Sequence, residues 1–161
     1  ALPGGASVAE GEVWVGTQRT GGEWGHHAID PAGPACYCGQ RGCVETFLAG
    51  PALEAAYVAA GGAPATASEI GGRAAAGEAC ARGVLDRYLE RFGRGLANVV
   101  NILDRDLSLL GGGLSNHRTL YDDGRTAIAR HVFNDELRTP IVANQLGDSA
   151  GVIGAALLAG V

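Results

Sequence analysis

No lysine occurs anywhere in this 161-residue chain, and its twelve basic residues never gather into a run. Against them stand seventeen acidic residues, for a formal net charge of −5. Gripping nucleic acid through its phosphates needs a concentrated positive face. That class of function is excluded for this chain, and the acidic surface reads as no more than an aid to solubility. Long apolar runs are missing too. No segment approaches the roughly 18 consecutive apolar residues of a membrane helix. The N-terminus lacks the charged stretch and apolar block of a secretory signal. The first residue is Ala1, not Met, so the expectation is a trimmed product or a piece of a longer protein.

What is present is ordinary globular material, 47% apolar and 18% charged, enough for one domain or one lobe of a two-lobed enzyme. Cysteine is scarce but unevenly placed. Three of the four fall within eight residues, and Cys80 stands far downstream. Such clustering suits a metal site in a reducing compartment better than a disulfide framework. A cytoplasmic protein is expected, with Cys80 an inert buried thiol.

Hydrophobic spacing orders the rest. Ser7–Gly16 reads as a hairpin around Glu10-Gly11, and Gly16–Gly22 as a loop. Two short helices are expected from Val44 through Tyr57, then a loop over Ala60–Thr66. Leu85, Tyr88, Leu89, Phe92, Leu96, Val99, Val100 and Leu103 recur at steps of three and four, which predicts a long helix over Ala79–Leu103. Leu107–Leu110 reads as a strand ending in Gly111-Gly112-Gly113, with Ser115 capping a helix through Leu120, Ile128 and Val132. A strand over Ile141–Leu146 and a helix over Ala150–Ala159, capped by Asp148-Ser149, complete an α/β arrangement with helices packed on a sheet. Asn101, Asp104 and Asp106 suit turn and capping roles.

One segment carries metal chemistry. Cys36, Cys38 and Cys43 follow a His26-His27 pair, so four soft or borderline ligands lie within eighteen residues. Zn²⁺ takes such a set in a closed tetrahedron when its role is structural, leaving no open position for a catalytic water. Gly39 and Gly42 free the backbone to fold the sulfurs around one point. Spacing alone leaves the choice between His26 and His27 open.

The strings Glu23–His26, Cys36–Gly39, Gly42–Phe47, Val99–Asp106, Leu110–Asn116 and Gly147–Ala156 together resemble the ROK family (repressors, open reading frames and sugar kinases), most closely its fructokinase and mannokinase type. The resemblance implies the C-terminal lobe of an actin-like (ribonuclease H-like) sugar-kinase fold over residues 1–161. A zinc knuckle would span 26–43 and a glycine-rich nucleotide loop 110–116. It implies His26, Cys36, Cys38 and Cys43 as zinc ligands, with His26 also against the sugar. Glu23 and Glu45 would bind sugar hydroxyls, which acceptor-only carboxylates suit. Gly111, Gly112 and Gly113 would lie against the adenosine of ATP, and Mg²⁺ would accompany ATP in the complete enzyme. Trp24 could wall the sugar or pack in the core.

Phosphoryl transfer also needs a phosphate cradle and a base for the attacking hydroxyl. The family's Asp-x-Gly-Gly-Thr loop does not occur here, and no Asp stands in a context that marks it as the base, so no catalytic residue is assigned. Only Gly4 and Gly5 remain of a second phosphate loop, with Leu2 and Pro3 departing from its pattern. Gln18-Arg19 replaces the family's usual Asn-Gly. The expected function is ATP-dependent hexose phosphorylation by a protein that pairs this chain with an N-terminal lobe, commonly as a homodimer through the helix of Glu45. The isolated chain is expected to be inactive. Two alternatives are the sugar-sensing module of a transcriptional repressor and a truncated, inactive homologue.

Overall fold

A computed structural model describes residues 4–158, apart from the side chains of Asp148 and Leu158. Leu2, Pro3 and Ala159, which entered the expectations above, lie outside the described residues.

The centre is the helix α4, and the other helices are arranged around it. To keep numbering in chain order, β1 (Val8–Ala9) and β2 (Glu12–Val13) form the antiparallel hairpin expected around Glu10-Gly11. Then come α1 (Glu45–Leu48), α2 (Gly50–Ala59), α3 (Ala67–Ala75) and α4 (Ala79–Leu103). β3 (Ser108–Leu110), α5 (Asp123–Ala129), β4 (Ile141–Ala143) and α6 (Ala150–Leu158) follow. α4 runs over the predicted residues and buries Ala81, Val84, Tyr88, Leu89, Phe92, Leu96 and Val100 on one stripe. Leu103 is the exception among the expected apolar positions and lies exposed at the helix end. Val44, Phe47, Leu48, Leu53, Tyr57, Ile70 and Ile128 complete the core against this stripe. Hydrophobic burial of this kind supplies most of a helical domain's stability.

Two contacts tie α1 to α4. The Tyr88 hydroxyl donates to the Leu48 carbonyl at 3.2 Å, and the Arg91 guanidinium lies 4.1 Å from the centre of the Phe47 ring. α1 buries Glu45, Phe47 and Leu48 inside the chain.

α3 was not foreseen. Gly71 and Gly72 interrupt its apolar pattern, yet Thr66 and Glu69 form a reciprocal capping box at its start. Thr66-x-x-Glu69 was the available signal. The region after the glycines also differs. Ser115 caps no helix; its hydroxyl donates to Gly112 O at 2.7 Å within a 3₁₀ turn, Gly113–Asn116. α5 begins only at Asp123 and stops at Ala129, short of Val132. β4 ends early because Asn144 turns its side chain back, accepting from Leu146 N at 3.1 Å. α6 follows a 3₁₀ turn, Gly147–Ser149.

β3 and β4 pair in parallel, Ser108 with Ile141 through Leu110 with Ala143. Ser108 and Ile141 are buried, but Leu109 is 62% exposed, so only one face of this small sheet is covered. Among the described residues no helix is long and apolar enough to cross a membrane.

α4 and α5 meet where Gly93 lies on Ala127: a Cβ at Gly93 would stand 2.6 Å from the Ala127 carbonyl carbon. Backbone cannot retreat as a flexible side chain can. Gly93→Ala should therefore lower unfolding free energy by about 1–3 kcal/mol, read from the midpoint of chemical denaturation.

Candidate functional site

The segment between Gly25 and Glu45 folds back on itself through main-chain bonds. Cys36 N donates to Gln40 O at 2.8 Å, Gly42 N to Pro34 O at 2.8 Å, and Ile29 N to Gly42 O at 2.9 Å. Gly42 has φ +63°, and a Cβ there would collide with the Asp30 carbonyl, so only glycine closes this loop.

Closure gathers the chemistry. One ligand atom each from His26, Cys36, Cys38 and Cys43 lies within 4.8 Å of the others. His26 Nδ1 is 3.5 Å from Cys36 Sγ, and Cys38 Sγ is 3.7 Å from Cys43 Sγ. A tetrahedral Zn²⁺ with ordinary bond lengths would separate sulfur from sulfur by about 3.8 Å and sulfur from nitrogen by about 3.6 Å. The donor set and its spacing fit zinc. The geometry also separates the two histidines: His27 turns away, its Nε2 3.0 Å from Asn98 Nδ2.

Burial pushes the Cys43 thiol up to about 12, with Cys38 and Cys36 adding to the shift. Cys38 is held below the ordinary thiol value, chiefly by hydrogen bonding to the Gln40 backbone. A cation entering this site must displace the Cys43 proton.

Glu23 and Glu45 flank the cluster along the chain, and both bond to the backbone of Gly25. Glu23 Oε1 accepts from Gly25 N at 3.2 Å, while Glu45 N donates to Gly25 O at 2.9 Å. Glu45 is buried, with Cys36 Sγ 4.0 Å from its Oε1. Glu23 is exposed. Trp24, next to it, packs against the core and donates its indole N–H to Gly4 O at 3.2 Å.

Tyr37 was missed. Its ring is 74% exposed, yet its hydroxyl meets His26 Nε2 at 2.9 Å, the two rings edge to face with centroids 5.0 Å apart. Desolvation raises the pKa of that hydroxyl, and the charges of Glu45, Cys36, Glu23 and Cys38 add to it. Both carboxylates therefore lie within electrostatic reach of Tyr37. The middle residue of a Cys-x-Cys string carries no spacing signal that would have singled it out.

The glycine loop is a separate structure at the C-terminal ends of β3 and β4. Gly112 has φ +83°, and added methyls at Gly112 or Gly113 would meet open space. The loop is tied to β4: Asn144 Nδ2 reaches Leu110 O at 3.3 Å and Ser115 Oγ at 3.1 Å. Only a four-residue 3₁₀ turn follows, not the α-helix start expected there. Asn101 spans α4 and the α5 end, donating to His131 O and accepting from Phe133 N. Asp104 ends α4 in a left-handed conformation. Both fill the structural roles expected of them.

The sequence matches the ROK family over residues 3–160. The chain belongs to the ROK family. An N-acetyl-D-glucosamine kinase of Photobacterium profundum is 35% identical over 165 residues, covering 96% of this chain and 54% of that protein. Two ROK crystal structures superpose closely. A glucokinase from Streptomyces griseus, in complex with glucose and AMPPNP, gives a TM-score of 0.86 at 26% identity over 96% of this chain and 56% of its own. A hexokinase from Thermus thermophilus gives 0.83 at 35% identity over 96% and 54%. A ROK transcriptional regulator gives 0.73 at 28% identity over 87% and 38%. This ROK chain thus has the actin-like α/β fold of those kinases and spans about half the length of the relatives it matches. These relatives are named for N-acetylglucosamine, glucose or hexose and not for fructose, so they do not carry the narrower fructokinase and mannokinase expectation.

Two measurements follow from this geometry. Zinc uptake should release protons, the Cys43 proton among them, so affinity falls as pH is lowered. Chelator competition should show up to about a tenfold loss per pH unit for each proton released. Arg19 has φ +57°, a conformation that favours glycine. Arg19→Gly should raise the midpoint of thermal unfolding, because a left-handed non-glycine residue costs roughly 1–2 kcal/mol.

Proposed function

We propose that this chain is the sugar-binding, C-terminal portion of an ATP-dependent ROK hexose kinase. The observation that carries the reading is the Gly25 backbone, which bonds the Glu23 side chain and the Glu45 main chain beside a zinc-fitting Cys₃His cluster. Two acceptor-only carboxylates held on one rigid loop can orient vicinal hydroxyls of a hexose. His26, Cys36, Cys38 and Cys43 would hold Zn²⁺ as a structural ion, with His26 also facing the sugar. The ion orders the loop and activates no water, since all four positions are protein atoms.

Gly111, Gly112 and Gly113, on an open loop at the strand ends, would take the adenosine side of ATP; ligands of open α/β sheets favour such crevices. ATP supplies the phosphoryl group and Mg²⁺ the charge neutralisation. An N-terminal lobe would supply the phosphate loop and the base, so the chain alone binds sugar without transferring phosphate. Exposed Leu109, Ile102, Leu146 and Val152 supply apolar surface for such a lobe. The complete protein would act in the cytoplasm as a homodimer.

The relatives favour an aldohexose or N-acetylhexosamine over fructose as substrate. The resemblance to a ROK regulator keeps a sugar-sensing role as the second reading. The open glycine loop favours the kinase.

Calorimetry of the chain with N-acetylglucosamine, glucose, fructose and ATP tests the proposal, and no heat with any sugar would overturn the sugar-binding role. In the complete protein, Glu45→Ala should raise the sugar KM at least tenfold, consistent with loss of a charged hydrogen bond. Zinc content should stay unchanged, and loss of zinc instead would show that Glu45 serves the knuckle.

A further inference from the structure

We propose that His117 is a positioning residue for the glycine-rich loop: its imidazole, seated against Gly71 of α3, pins the far end of the loop in the shape that takes nucleotide. The inference rests on the nucleotide reading of Gly111–Gly113 above. The near end of that loop is held at β4 by Asn144. Past it the chain makes two successive 3₁₀ turns, Gly113–Asn116 and Arg118–Leu120, and His117 is the residue between them. Its main chain serves both: His117 N donates to Leu114 O at 3.1 Å, and Leu120 N donates to His117 O at 3.0 Å. Where the His117 side chain is seated therefore fixes how the loop leaves the sheet.

The ring is seated inward. It lines a small apolar pocket with Leu53 of α2, Leu85 and Tyr88 of α4, and Leu114 and Leu120. α3 meets the ring through a glycine. A Cβ at Gly71 would stand 2.6 Å from both Nδ1 and Cε1 of the imidazole, whereas one at Gly72 would meet open space. Glycine weakens a helix interior relative to alanine, and the entry of the ring accounts for Gly71. Among the described residues the ring nitrogens have no hydrogen-bond partner, and burial alone lowers the pKa below the ordinary histidine value. The seated ring is thus neutral, and a proton favours its release. Of the side chains lining the pocket only Tyr88 titrates, and its hydroxyl is given to Leu48 O. Charges on the packed elements are engaged elsewhere: Glu54 with Ala67 N, Glu69 with Thr66, Arg73 with Tyr57, Arg82 with Ala74 O, and Arg118 with Asp122. Asp86 and Arg87 line a different groove, beside Ile29.

Paired glycine variants test this, because both glycines lie in α3 and only one touches the ring. Gly71→Ala should drive the ring out and speed amide hydrogen exchange at Ser115 and His117. It should also weaken ATP binding about three- to tenfold in calorimetry, as when the competent loop becomes a minority form. Gly72→Ala should change neither readout. His117→Ala should behave like Gly71→Ala, while His117→Leu, which refills the pocket, should restore both. As pH falls below the ordinary histidine range, parent affinity for ATP should drop relative to His117→Leu by up to about tenfold per pH unit. The titration of ATP itself is common to both chains and cancels. Equal exchange rates and ATP affinities in Gly71→Ala and Gly72→Ala would overturn the inference, as would one shared pH profile for the parent and His117→Leu. A parent chain that gives no heat with ATP would overturn the nucleotide reading, and the exchange rates would then decide the seating of the loop by themselves.

Discussion

Three thiols and an imidazole packed around one point need either protons or a cation among them. That electrostatic demand organises the candidate site. Burial denies a thiolate its solvent, and the neighbouring Cys38 and Cys36 add to that penalty, which is why the most enclosed of them, Cys43, holds its proton so firmly. A divalent ion at the centre reverses the balance by converting mutual repulsion into shared attraction. The surrounding loop does little that is not explained by the need to keep these four atoms near one another.

The loop is in turn tied to the helical frame. Val44 and Cys43 are fully buried, and Val44 N donates to His27 O, so the last sulfur and the start of α1 form one continuous packed piece. α1 is fastened to α4 through Phe47, Leu48, Arg91 and Tyr88. Trp24 reaches the same helix near Gly95. Both carboxylates therefore sit on segments anchored to α4, and their separation follows from packing in the core.

Much of this was legible because it is written in periodicity or in rare residues. α4 could be read to its ends, since apolar side chains at steps of three and four leave little choice. The ligand cluster could be read because cysteine is scarce. His26 against His27 could not be settled by spacing, because adjacent residues differ in direction, and direction depends on the bonds Asn98 and Cys36 make. α3 escaped because paired glycines weaken an apolar pattern. The region after Gly113 was misread because Ser115 has two uses for its hydroxyl, and the loop carbonyl of Gly112 outcompeted a helix end. The preferred hexose was not legible, since the strings that reveal the family report its shared scaffold. Selection among hexoses depends on individual atoms facing the ligand.

The main-chain closure of the knuckle has a consequence for selectivity. Its bonds, from Pro34 to Gly42 and from Cys36 to Gln40, are complete without help from any sulfur, and the clash awaiting a side chain at Gly42 leaves the loop little room to widen. A coordination sphere formed there would be sized in advance by peptide geometry. An ion whose bonds to sulfur are longer than those of zinc must strain the backbone to enter. Discrimination by radius would therefore come from the peptide as well as from the softness of the donors.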